Sequence, residues 1–563
     1  MSEPSCITVS SGPLRIKAYR GDGCVLIAMD LPSDVCAGLA GFAIARSPDG
    51  RTFAYVPNRL GFDTASQPEV TQPSSTAPFQ KFRWVDYPPE DSVASYTYRV
   101  EARYFSGGVP SDVRYAATFS MTLTGDAYPN FLLGFTRGYV SSQAFADRYP
   151  AVRALRPDNS VDYDTDAAIP KTNPAVTWRE LYEWLGAGAR RLLSSFTEEC
   201  KQDGHGFDVF AYDLDEPDFI KFVAQAAEAK MPVRMILDDA PLHTKKTARE
   251  VESAALLQKA GVKLLRGHFK RYAHSKCVIE RDADGNAVRV LTGSANFSVR
   301  GLYVQSNSVI VVNDPEAAKL YGEAFDQAWS DMAQFADAEI ASEWFDAQGG
   351  GIPAFSVSFA PHKTGEVSLG RVAAAIRNAK SSVLFAVMEL AGGGAVMQEL
   401  TTLQQRHDIF SYGVTQTTKG IKFYKGGGAN GLLVPFSYLK AHVPEPFRAE
   451  WNGGMGQVIH HKFVVIDFND ANPIVYCGSS NLAEGGEQSN GDNLLEIRDT
   501  AIATQYAVEA IQLVDHYEFR AVEANASSAA PLVLQGPGSA APWWQSSYDP
   551  SKINYTERIL LSS

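Results

Sequence analysis

Two stretches of this 563-residue chain place the same residue types in the same order: "YAHSKCVIERDADGNAVRVLTGSAN" at 272–296 and "IHHKFVVIDFNDANPIVYCGSSN" at 459–481. Each runs His-x-Lys, an apolar stretch, turn residues, a second apolar stretch and then Gly-Ser-x-Asn. Lys276 and Asn296 are 20 positions apart, and Lys462 and Asn481 are 19 apart. One His-x-Lys is cheap to obtain by chance. Two of them, each followed at matched distance by the same small-residue turn, imply a duplicated strand–hairpin–strand unit and therefore two similar halves. Side chains alternate along a strand, so His460 and Lys462 share a face, as do His274 and Lys276, while His461 points the other way.

The flanking sequence fits that frame. From about residue 130, helical spacing in "TWRELYEWLGAGARRLLSSF" and "DFIKFVAQAAEAK" alternates with the strand-like "FDVFAYDL" and "PVRMILDD". The alternation returns with "GRVAAAIRNAK", "SSVLFAVMEL" and "AVMQELTTLQQ". Strands alternating with helices predict a parallel sheet covered by helices. Residues 12–125 differ: short alternating runs such as "CVLIAMDL" and "SYTYRVEARYF" lie between turn residues, which predicts a small β-sandwich. The expected fold class is α/β, with two similar α/β halves packed about a pseudo-twofold axis and preceded by an all-β sandwich. The expected boundaries are 1–125 for the sandwich, 126–345 and 346–528 for the halves, and 529–563 for a Pro/Gly/Ser-rich tail wrapping the body.

The repeated residues resemble those of the phospholipase D superfamily, marked by His-x-Lys-x4-Asp and Gly-Ser-x-Asn. The second half matches at His460, Lys462, Asp467, Gly478, Ser479 and Asn481. The first half matches at His274, Lys276, Gly293, Ser294 and Asn296, but has Arg281 where the Asp would stand. The resemblance spans roughly 130–530. "SYTYRVEARYF" is similar to a strand of fibronectin type III domains, with Tyr96 or Tyr98 as the tyrosine of its corner, an alternative to an immunoglobulin-like sandwich.

A phosphodiester is anionic and resists attack, so its oxygens must be neutralised and a nucleophile supplied. Two Lys and two Asn converging on one point would cradle the phosphoryl oxygens without a metal or other cofactor. One imidazole attacks phosphorus and the other handles the leaving-group proton. The resemblance implies that these are His274 and His460, with His274 as nucleophile oriented by a group from elsewhere in the fold. Glu496 is available to orient His460, and Asp467 to brace local backbone. Ser294 and Ser479 are expected at the substrate, and Asn307 and Asn493 as orienting or structural groups. The expected activity is hydrolysis or transfer of the phosphatidyl group of glycerophospholipids, with a nuclease or a non-catalytic phosphate-binding protein as alternatives.

A formal net charge of −13 argues against holding long nucleic acid by bulk electrostatics. The run "KGGGANGLLVPFSYLK", with Leu432, Leu433, Val434 and Phe436, is read as a loop for peripheral contact with a membrane, or one packed on its own domain. No apolar run is long enough to span a bilayer, and no signal-peptide pattern opens the chain. Six scattered cysteines suggest free thiols and a cytoplasmic protein, with a Cys24–Cys36 bridge left open.

Overall fold

The computed structural model describes residues 4–62, 71–89, 93–157, 160–390, 392–427, 433–442, 445–448, 457–526 and 532–563. At the N-terminus two four-stranded antiparallel sheets face each other. One is built from Cys6–Ser11, Leu14–Arg20, Val25–Asp30 and Arg83–Asp86, the other from Val109–Thr122, Ser95–Ser106, Leu39–Ser47 and Ala54–Tyr55. Alternate residues fill the space between them, including Leu14, Ile16, Ile27, Met29, Phe42, Ile44, Tyr98 and Val100, as expected for strands with one buried face. Of the two tyrosines expected at a corner, Tyr98 points its hydroxyl at a side chain. The Tyr98 hydroxyl bonds the Asp86 carboxylate, whereas Tyr104 reaches a backbone carbonyl, that of Val35, at 2.8 Å.

Beyond residue 130 there are two large sheets. The first orders its strands Phe131–Phe135, Ser308–Val312, Ala287–Gly293, Cys277–Arg281, Gly206–Ala211, Val233–Leu237 and Lys263–Arg266. The second repeats the first six of these with Phe355–Ala360, Asn490–Ile497, Ile474–Gly478, Phe463–Ile466, Ser382–Val387 and Phe410–Thr417, after which Gly420–Lys425 turns back antiparallel where Lys263–Arg266 runs parallel. The correspondence defines two α/β halves related by a pseudo-twofold axis.

The sheets are mixed, not parallel as the strand–helix alternation predicted. Gly206–Ala211, Val233–Leu237 and Lys263–Arg266 run parallel, but the motif-bearing strands pair antiparallel through short hairpins that need no crossover helix. After the second motif in each half comes a long helix, Pro315–Asp331 or Thr500–Asn525, each started by an Asp side chain (Asp314 or Asp499) that accepts a first-turn N–H.

Backbone bonds stitch the halves together. Tyr272–Ala273 pairs in parallel with Asn490–Gly491, and Ser306 bridges to Ile459. The C-terminal segment lies between sandwich and second half. Trp543, Trp544 and Tyr548 pack on the sandwich core, Arg83 Nε meets Glu557 at 2.5 Å, and Tyr19 donates to the Leu561 carbonyl at 2.7 Å.

The expected membrane-contact loop is partly strand. Leu433–Pro435 pairs with Gly420–Lys422, which turns Val434 into the core and leaves Leu433 47% exposed. Leu432 and the side chain of Phe436 lie outside the described residues. No helix among the described residues is long and apolar enough to cross a membrane, and all six cysteines are free.

Candidate active site

Each His-x-Lys segment leaves its own sheet and leans on the other half. His274 N–H donates to the Gly491 carbonyl, and Ser306 N–H donates to the Val458 carbonyl, both at 2.9 Å. The regular strands therefore begin only after each Lys, at Cys277 and Phe463. His461 is turned away from the pair and bonds Glu509 on the long C-terminal helix.

The Gly-Ser-x-Asn turns are built alike. Gly293 and Gly478 both adopt φ 142°, where side-chain-bearing residues are rare. A Cβ there would sit 2.3 Å from the Ser308 carbonyl oxygen or 2.5 Å from that of Asn493. This close approach lets Ser294 N–H and Ser479 N–H reach those same carbonyls at 3.0 Å.

The serines then position the groups that hold the histidines. Ser294 Oγ donates to Asn307 Oδ1 at 2.8 Å, and Asn307 Oδ1 accepts from His460 Nδ1 at 2.8 Å. By symmetry Ser479 Oγ donates to Asp492 Oδ1 at 2.8 Å, and that oxygen accepts from His274 Nδ1 at 2.7 Å. Each imidazole is thus braced from the opposite half, with Nδ1 as donor and Nε2 left with its lone pair. Asp492 was not anticipated. The signal for it was present, since Asn307 and Asp492 both lie 13 residues after the Ser of their turn.

Glu496 is not the brace of His460. Four residues along the strand from Asp492, it accepts from Tyr476 Oη at 2.8 Å and pairs with Arg498. Asn493 faces the other side of its strand and sits at the seam between halves, accepting from Thr292 at 3.1 Å and lying 3.4 Å from Cys277 Sγ. Asp467 accepts the backbone N–H groups of Lys380, Ser381 and Ser382. Arg281, at the matching position of the first half, does a related job with opposite charge by pairing with Asp208 on the neighbouring strand. Both lie five positions past the Lys, about 16 Å along a strand from the chemistry.

Lys276 and Lys462 are each 1% exposed and donate to the carbonyls of His274 and His460. Burial pulls Lys276 down to about 8 against the pull of the Asp492 and Asp213 charges, and burial with the Lys276 charge holds Lys462 well below its ordinary value. The two halves therefore feel each other's charges. Burial and Lys276 lower His274 despite Asp492, and burial with both lysines lowers His460 further. For Asp492, burial is outweighed by the charge and hydrogen bond of His274, so it stays ionised below the usual carboxylate range.

Asn296 and Asn481 follow the turns in equivalent places, and each has a buried Oδ1 with no hydrogen-bond partner among the described residues. Asn296 Nδ2 donates to Asp213 Oδ2 at 2.7 Å. The two His-x-Lys segments thus bring imidazoles and lysines of both halves within reach of each other's charges.

The destabilisation has a sign. Between about pH 8 and 10.5 the unfolded chain holds a proton on Lys276 that the folded chain has released, so this group makes stability rise with pH across that window. Below about pH 8 the buried ammonium is charged in the folded chain at full cost. Vanadate or inorganic phosphate bound beside Lys276 and Lys462 would offset that cost. Either is expected to raise the melting temperature at pH 7, by the equivalent of about 2.7 kcal/mol at 100 times Kd. The rise is smaller at pH 9.5, and differential scanning calorimetry at the two pH values measures it.

Residues 198–329 and 434–514, which hold both motifs, match the family described as "Cardiolipin synthase, PLD-like domain". Those residues carry the PLD-like domain of that description, in line with the resemblance of the two motifs. Among solved structures it is similar to Nuc, a phospholipase D family member from Salmonella typhimurium, at 22% identity over 25% of this chain and 88% of that one, TM-score 0.22. It is similar to polyphosphate kinase from Porphyromonas gingivalis at 10% identity over 56% of this chain and 48% of that one, TM-score 0.37. Yeast tyrosyl-DNA phosphodiesterase aligns at 11% identity over 54% of this chain and 86% of that one, TM-score 0.29. No curated protein matches the chain.

Proposed function

We propose that this protein is a phosphodiesterase that cleaves the head group from glycerophospholipids, or transfers the phosphatidyl group to an alcohol, through a phosphohistidine. The observation that carries the reading is the reciprocal brace: a histidine and a lysine from each half, with each imidazole held by a group from the other half.

His274 is the nucleophile. Its Nδ1 proton is held by the Asp492 carboxylate, which stabilises positive charge on the ring as Nε2 bonds to phosphorus. The phosphorus–oxygen bond to the leaving alcohol breaks, and His460 supplies the proton that alkoxide takes. The neutral amide of Asn307 orients His460 without raising its basicity. The bound phosphoryl anion offsets Lys276 and Lys462 and restores the protonated form of His460. Water or an acceptor alcohol then gives its proton to His460 and attacks phosphorus, and the electron pair of the phosphorus–nitrogen bond returns to His274. Lys276, Lys462, Asn296 and Asn481 carry the charge of the five-coordinate state, so the phosphoryl step is assigned to these side chains alone.

A lipid substrate is supported by the description of the matched family and by the net charge of −13. Exposed Leu433, beside the loop that precedes the second motif, provides an apolar contact for an interface. Residence in the cytoplasm belongs to the same reading and is supported by six unpaired cysteines.

The test compares release of choline or ethanolamine from phospholipid vesicles with nicking of plasmid DNA, both with chelator present. Head-group release without nicking supports the proposal. Nicking alone makes the protein a nuclease, and silence in both overturns an enzymatic role.

A further inference from the structure

Beside the histidine pair the first half holds a second constellation that the phosphoryl chemistry does not use. Asp213 follows the strand Gly206–Ala211, while Asp238 and His243 follow the adjacent parallel strand Val233–Leu237. Glu250 stands in the first turn of the helix Arg249–Ala260. The carboxyl ends of parallel strands thus bring one imidazole and three carboxylates together, a usual place for ligands in α/β sheets.

One ligand atom each from Asp213, His243 and Glu250 lies within 4.8 Å of the others. His243, 1% exposed, directs Nε2 at Asp213 Oδ1 at 2.9 Å, and its Nδ1 meets Asp238 Oδ1 at 2.7 Å. That is the carboxylate–histidine arrangement that fixes the ring of a metal-ligating imidazole and raises its donor strength. Asp238 is itself pinned by the backbone N–H groups of Ala240 at 2.8 Å and Ala273 at 2.6 Å.

Glu250 supplies an independent pointer. Its side chain is 9% exposed, and among the described residues its carboxylate bonds to no other side chain, although it faces the same point as the other two donors. A hydrogen bond from its own backbone N–H leaves much of the acceptor capacity of this buried carboxylate unused, which is costly.

We propose that Asp213, His243 and Glu250 form a binding site for a divalent transition-metal cation, with Asp238 as the outer support of His243. One imidazole and two carboxylates suit Zn2+ or Mn2+. Ca2+ prefers an all-oxygen shell of six to eight ligands. Three protein ligands leave coordination positions for water. Binding displaces the Nε2 proton of His243 to solvent and the ion takes its place between the carboxylates. The ion does not enter the phosphoryl step. It shares Asp213 with that centre, since the other oxygen of Asp213 holds the Asn296 amide, so occupancy tunes how firmly Asn296 is held.

A second His–carboxylate group, Asp203, His205 and Glu280, serves as the internal control, because Glu280 already pairs with Arg289 and His205. The experiment is isothermal titration of the full-length, chelator-dialysed protein with ZnCl2 and, separately, MnCl2. One ion per chain is expected, lost in Glu250→Gln and in His243→Gln and retained in His205→Ala. Asp238→Asn is expected to weaken binding about 10–100-fold, as removal of an outer partner of a metal-bound histidine does. Circular dichroism and metal-free melting temperature report folding. Glu250→Gln keeps the shape of the side chain and breaks no side-chain hydrogen bond among the described residues, so it provides the folded variant on which the result turns. Absence of binding to the wild type overturns the proposal, as does binding that survives in folded Glu250→Gln or disappears in His205→Ala. Because the readout is binding, it stands apart from the outcome of the lipid and DNA assays.

Discussion

His274→Ala is expected to eliminate phosphodiester turnover, and His460→Ala to leave a single turnover whose product stays on the enzyme. Both follow from the division of labour between the two rings. Without the His274 imidazole no phosphorus–nitrogen bond forms, and the residue of activity is that of an anion site with no nucleophile. Without the His460 imidazole, a substrate with a good leaving group such as p-nitrophenol still phosphorylates His274, because such a group departs unprotonated. Water is then not activated, and the intermediate persists. The steady-state rate is expected to fall at least about 1,000-fold in either variant, in line with the loss of one member of a catalytic unit. Burst kinetics and mass spectrometry of the adduct, quenched in base because a phosphorus–nitrogen bond is hydrolysed by acid, distinguish the two. An adduct in His274→Ala and none in His460→Ala reverses the assignment.

Asp492→Asn is expected to cost nearly as much while leaving every phosphate-contacting side chain in place. The carboxylate now accepts from His274 Nδ1 and from Ser479 Oγ with one oxygen. An amide in its place can present Nδ2 to the ring, which favours the tautomer with the proton on Nε2 and so blocks the nucleophile. Loss of the corresponding carboxylate in hydrolytic triads costs about 10,000-fold by that route. Asn307→Ala, which frees His460 without inverting its tautomer, is expected to cost far less. A kcat decrease with little change in KM, paired with unaltered vanadate affinity, identifies a positioning role for Asp492. A parallel loss of vanadate binding would mean that the substitution had instead collapsed the site.

The duplication was legible in sequence because it is written in residues with few structural alternatives: buried Lys276 and Lys462, and the glycines at 293 and 478 that only a tight approach to a carbonyl requires. The pairing of brace and histidine was not, because it is decided by which segment crosses the seam. His274 is held by a residue 218 positions away and His460 by one 153 positions away. A local search for a carboxylate near His460 finds Glu496, on the same strand as the true brace of the other histidine but committed to Tyr476 and Arg498. Arg281 shows the converse. It departs from the expected Asp, yet it ties two strands together by ion pairing where Asp467 does so by capping N–H groups. The mixed sheet was hidden because a hairpin and a crossover leave similar apolar runs, and only the length of the connection separates them.

The crossing of the braces has a consequence for inheritance. A change at Asn307 is felt at His460 and one at Asp492 at His274, so neither copy of the duplicated unit drifts on its own account. One copy keeping an acid and the other an amide is a division that only a covalently joined pair can preserve, since a symmetric dimer of either copy would hold two identical rings. Grafting one half from a distant relative onto the other therefore mismatches a ring with its holder even when both parents are fully competent.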